Sequence, residues 1–120
     1  MLRRLSIALL VACAIALPTL AAEDVTGKWT FNVETDAGSG SPTFIFKQSG
    51  EALTGTYSGA FGEAPINGMV KGDSIEFTFK ASSDGQEVTC KYRGKITGNQ
   101  IKGNVDLGSV GTGTFTATKQ

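Results

Sequence analysis

From Gly27 onward, polar and apolar residues alternate along the chain with a period of two. Trp29, Phe31 and Val33 are interleaved with Lys28, Thr30 and Asn32. Ile75, Phe77 and Phe79 are interleaved with Glu76, Thr78 and Lys80, and Val88, Cys90 and Tyr92 with Thr89, Lys91 and Arg93. Phe44 and Phe46 alternate with Thr43, Ile45 and Lys47, where Ile45 is the imperfect member. Successive side chains of a strand point to opposite faces, so the pattern predicts strands with one buried and one wetted face. Short turn signals separate the runs. Gly72-Asp73 and Gly98-Asn99 suit two-residue hairpins, and Ser49-Gly50 and Asp84-Gly85 mark two further connections. Eight strands are expected, at 27–34, 42–48, 52–59, 64–71, 74–81, 86–97, 100–107 and 111–119. Links this short make neighbours in sequence antiparallel neighbours in space, which is an up-and-down meander.

Glycine decides how the meander ends. All 16 glycines lie beyond residue 22, and Gly55, Gly68, Gly94 and Gly103 fall inside expected strands. Interior glycine weakens a flat strand but permits the sharp coiling of a small barrel. Closure also removes the exposed edges that an open meander would leave. The expected fold is therefore all-β, a closed eight-stranded antiparallel barrel, with a small β-sandwich as the alternative. A weak internal repeat fits this plan. Gly68-Met-Val-Lys-Gly-Asp-Ser-Ile75 matches Gly94-Lys-Ile-Thr-Gly-Asn-Gln-Ile101, 26 residues later.

The first 22 residues have a different character. Arg3 and Arg4 precede an almost wholly apolar run from Leu5 to Leu17, then Pro18 and the small residues Ala21 and Ala22. This is the layout of a secretory signal, with an apolar run too short for a permanent membrane span. Cleavage is expected after Ala22, with Ala21 as the neighbouring choice, leaving one domain at 23–120 in a secreted or periplasmic protein. Leu10-Val-Ala-Cys13 resembles a bacterial lipobox, so anchoring through a lipidated Cys13 is the minority reading.

Without Arg3 and Arg4, nine basic residues stand against eleven acidic ones, a net charge of −2 with no basic cluster. No nucleic-acid partner is expected from that balance. Cys90 would be the only remaining cysteine, so no internal disulfide can form, and as a member of the apolar face it reads as a small buried hydrophobe. The chain has no histidine. That removes Ser-His-Asp and Cys-His arrangements and imidazole metal ligands. The carboxylates fall on the wet faces or in turns, so no catalytic residue, metal site or cofactor is expected.

Four pieces, in order along the chain, resemble the avidin and streptavidin family within the calycin group of ligand-binding barrels. They are Gly27-Lys-Trp-Thr30, Thr43-Phe-Ile-Phe46, Ala52-Leu-Thr-Gly-Thr-Tyr57 and Val110-Gly-Thr-Gly-Thr-Phe-Thr116. The resemblance implies the barrel and a guest inside it. It does not imply biotin. Tyr57 matches the tyrosine that bonds the ureido oxygen, but the family's other polar contacts are replaced here by Gly59, Phe31, Glu63 and Gly113. Trp29 is the sole tryptophan, matches a core position and is expected to plug one end of the barrel.

The function expected from these features is a small secreted or periplasmic barrel that binds an apolar ligand. The candidate contacts are Tyr57, Phe77, Phe79 and Tyr92. The alternative is a non-catalytic interaction protein, inhibitor-like or a surface component, with a filled barrel.

Overall fold

The computed structural model describes residues 23–83 and 85–120. Residues 1–22, where the secretory signal with Cys13 is expected, and Asp84 of the turn signal lie outside the described residues. The alternating runs form strands β1 (Gly27–Thr35), β2 (Gly38–Gly40), β3 (Thr43–Ser49), β4 (Ala52–Gly59), β5 (Gly62–Lys71), β6 (Ser74–Ser83), β7 (Gln86–Thr97), β8 (Gln100–Asp106) and β9 (Thr112–Lys119). From β3 onward each strand pairs antiparallel with the next, β1 pairs with β3, and β9 returns to β1 from Trp29 opposite Lys119 to Thr35 opposite Gly113. The result is a closed eight-stranded up-and-down barrel. The short β2 stands outside it, clipped onto the far end of β1 with Val33 opposite Gly40 and Thr35 opposite Gly38.

Every apolar residue placed on the inner face by the alternation is buried, from Trp29, Phe31 and Val33 on β1 to Phe115 on β9. Ile45 points outward and is 53% exposed, so the periodicity wins over its hydrophobicity. The middle of the barrel is filled by rings. Phe31 lies 4.4 Å from Phe44, 5.0 Å from Phe115 and 5.8 Å from Tyr92, and Phe77 stacks on Tyr92 at 5.0 Å. Such a core suits an eight-stranded barrel, whose interior is just wide enough for side chains to fill it.

One end is sealed. Trp29 is 1% exposed and its indole N–H donates to the Val25 carbonyl at 2.9 Å. The stretch before β1 is held across this end by the Glu23 N–H on Gly72 O (2.9 Å) and the Val25 N–H on Gln48 Oε1 (2.9 Å). Trp29 and the fully buried Val25 thus plug the barrel from within.

Toward the opposite end one ladder stops short. β5 and β6 pair from Lys71 opposite Ser74 to Asn67 opposite Thr78 and no further. The two-residue turn makes Lys71 and Ser74 a hydrogen-bonded pair, and the alternation of an antiparallel ladder makes Asn67 and Thr78 another. The next such pair would be Pro65 with Lys80, and proline has no N–H to give. Beyond that point the β4–β5 and β6–β7 hairpins each continue without the other: Tyr57 opposite Ala64 in one, Phe79 opposite Cys90 in the other. On its other side β7 runs past the end of β8 and is met by a 3₁₀ turn at Gly108–Val110.

Candidate functional site

At this end of the barrel lies a cavity of about 300 Å³. Its floor is Tyr57, Phe79 and Tyr92, and its walls are Val33, Phe61, Leu107 and Val110. The segment from Ala37 to Pro42, which carries β2, lies along one side. Alternation explains why these three point inward, since Tyr57, Phe79 and Tyr92 are inward members of β4, β6 and β7. Among the described residues that line it, none is charged.

The 37–42 segment is fixed by hydrogen bonds to β1 side chains. Thr35 Oγ1 donates to Gly38 O at 3.0 Å and accepts the Ala37 N–H at 3.1 Å, and Ser41 Oγ donates to Asn32 Oδ1 at 3.2 Å. Gly38 takes a φ of 124°, which a residue with a side chain rarely adopts.

Of the four residues expected to meet a guest, the structure brings Tyr57, Phe79 and Tyr92 together at the cavity. Tyr57 and Phe79 stack at 4.2 Å, and Phe79 and Tyr92 lie 5.9 Å apart. Phe77 is not at the cavity. It lies one inward step deeper on β6, in contact with Phe31, Phe44 and Phe46, and serves the core. Phe61 and Val110 lie in connections and carry no period-two signal, whereas Leu107 continues the inward alternation of Ile101 and Val105 just past the end of β8; none of the three is among the expected contacts. The available clue was hydrophobicity inside a connection for Phe61 and Val110, and the alternation itself for Leu107.

The positions at which the sequence departs from the avidin pattern have structural reasons. Phe31 is fully buried in the ring cluster. Glu63 is exposed at the start of β5. A Cβ on Gly59 would stand 2.6 Å from the Tyr57 hydroxyl, and one on Gly113 would stand 1.8 Å from the Glu34 carbonyl oxygen. Neither glycine leaves room for a side chain.

The site is hostile to negative charge. Burial pushes the Tyr92 and Tyr57 hydroxyls above their usual range, with Tyr57 partly held back by the Phe61 N–H that it accepts at 3.2 Å. Burial also pushes the Cys90 thiol up to about 11, from 9.0. All three groups stay protonated in the fold where the unfolded chain would ionise. Their contribution to stability is therefore complete below pH ~9, and Cys90's is lost as the pH rises through its folded value. The barrel should lose on the order of 2 kcal/mol to Cys90 alone by pH ~11. Denaturant midpoints measured from pH 7 upward should show the loss beginning near pH 9 in the wild type and later in Cys90→Ala. Identical onsets in both would mean that the thiol does not titrate with unfolding.

No protein-family model matches the chain, and a search of curated proteins finds no relative.

Proposed function

We propose that the protein binds a small, largely apolar molecule in the cavity between the β4–β5 turn and the β6–β7 hairpin, and that it does so after export. The observation that carries this reading is the cavity itself. The barrel middle is packed solid, yet this one end keeps about 300 Å³ free, floored by aromatic rings. That volume lies at the lower end of the range for ligand pockets and holds a guest of roughly one ring system. Each square ångström of apolar guest surface taken from water there contributes about 25 cal/mol. No metal or cofactor enters the reading, and no reaction is assigned.

The filled middle supports a second reading, an interaction protein that works through its outer surface. A titration separates the two. Amide shifts should be followed while biotin and a set of hydrophobic ring compounds are added, with native mass spectrometry of the exported protein for any retained guest. Shifts confined to Gly59, Phe61, Tyr92 and Val110 are expected with the ring compounds. Biotin should show no sub-micromolar binding, because its ureido donors and acceptor would be buried largely unmatched, at about 1–3 kcal/mol each. Trp29 fluorescence is a poor reporter, since Trp29 sits at the sealed end, six residues or roughly 20 Å along β1 from Thr35 at the cavity. Silence at the cavity amides with every compound would favour the second reading.

A further inference from the structure

Two buried tyrosine hydroxyl protons at the cavity meet no acceptor among the described residues. Tyr57 Oη accepts the Phe61 N–H, but among the described residues no acceptor receives its own proton. Tyr92 is 3% exposed, lines the cavity floor, and its hydroxyl meets no hydrogen-bond partner among the described residues. Of the other side-chain hydroxyls at the cavity, those of Thr35 and Ser41 already have acceptors in Gly38 O and Asn32 Oδ1, and Ser39 is exposed on β2, so its hydroxyl is not a buried donor. A buried hydroxyl without a partner costs free energy, and phenylalanine would fill the same space without that cost. The cavity therefore offers spare donors and no cation.

We propose that the cavity selects a neutral, largely apolar molecule bearing one carbonyl-type acceptor oxygen, to which the Tyr92 hydroxyl donates. This rests on the reading of the cavity as a ligand site and narrows the class of guest. A hydrocarbon would leave the Tyr92 donor buried and unmatched. A carboxylate would bring a charge into a site with no cation to pair it, where burial already disfavours the anionic form of both tyrosines. A ketone satisfies the donor and adds no charge.

The test uses three probes of nearly one shape: acetophenone, its hydrocarbon analogue α-methylstyrene, and benzoate. Dissociation constants are read from amide shifts of the cavity residues in the wild type, Tyr92→Phe and Tyr57→Phe. Acetophenone should bind Tyr92→Phe about fivefold to tenfold more weakly than the wild type, while α-methylstyrene binds both alike or prefers Tyr92→Phe. Benzoate should be the weakest of the three at pH 7. Tyr92→Phe should also unfold at a denaturant midpoint no lower than the wild type, because the hydroxyl it removes supports nothing in the fold. A lower midpoint would show a structural partner for that hydroxyl and overturn the proposal. Equal effects of Tyr92→Phe on both neutral probes, or an acetophenone effect confined to Tyr57→Phe, would overturn the Tyr92 contact and leave the ligand site standing. Benzoate binding tightest would overturn the neutral class. If no probe moves the cavity amides, the ligand site itself fails, and this inference with it.

Discussion

Trp29→Ala should cost about 3–5 kcal/mol of stability, the range for deleting a large buried aromatic. The indole is 1% exposed, touches Phe46 at a ring distance of 6.4 Å, and ties the Val25 carbonyl by its N–H. Alanine would leave a cavity at the sealed end and an orphaned carbonyl beside it. The effect should spread to the segment before β1, because the Val25 carbonyl accepts the indole N–H and the Glu23 and Val25 amides are anchored across the same end. Small domains hold only about 5–15 kcal/mol in total, so this single change removes a large share. The melting temperature should fall by roughly 15–30 °C. Trp29→Phe separates the two contributions, since it keeps most of the packing and loses only the donor. It should cost about 1–2 kcal/mol. Urea unfolding of the three proteins decides the matter, and a Trp29→Ala midpoint near the wild type would mean that this end is not sealed by the indole.

The second large effect is expected at the seam where the barrel closes. Gly113 on β9 lies opposite Thr35 of β1 and Val105 of β8. A Cβ there would come within 1.8 Å of the Glu34 carbonyl oxygen and 2.7 Å of the Thr35 Cα. Both obstacles are backbone, so no side-chain rotation relieves the clash, and the β1–β9 ladder must part. Gly113→Ala should cost about 3 kcal/mol or more, at the severe end of overpacking, and Gly113→Val should fail to give a folded barrel. Gly40→Ala is the control, because nothing lies within 4 Å of its added Cβ, and it should stay within about 0.5 kcal/mol of the wild type. Hydrogen exchange locates the damage, with protection lost first from Thr114 to Ala117. A Gly113→Ala protein as stable as the Gly40→Ala control would show that the strands approach less closely than the structure has it.

Much of the architecture was legible in the chain because strand formation here is local. The expected hairpins at Gly72-Asp73 and Gly98-Asn99 occur at those residues, with Lys71 opposite Ser74 and Thr97 opposite Gln100. The errors fall where side-chain pattern has nothing to say. β2 was missed, since Gly38-Ser-Gly40 has no hydrophobic face and is held by main-chain pairing alone. β5 starts at Gly62 rather than residue 64 and β6 runs to Ser83 rather than residue 81. Both extensions belong to hairpins that continue past the point where Pro65 ends their mutual ladder, and a hairpin needs only its own partner strand.

The candidate site was legible by residue type and only in part by position. Period two places Phe77 and Phe79 on the same face of one strand, and nothing local separates them. One lies in the packed middle and the other at the cavity, because height along the barrel axis depends on how all eight strands are staggered around it. The partnerless state of the Tyr92 hydroxyl is likewise a statement about every group around it. So the sequence by itself determined which residues face inward, that the strands run as a meander, and that glycine is present where backbones must meet. Only the tertiary structure decided that the barrel fills its middle, seals the Trp29 end and leaves space at the other. Those outcomes depend on ring volumes summed across strands distant in the chain, and no short window of sequence contains that sum.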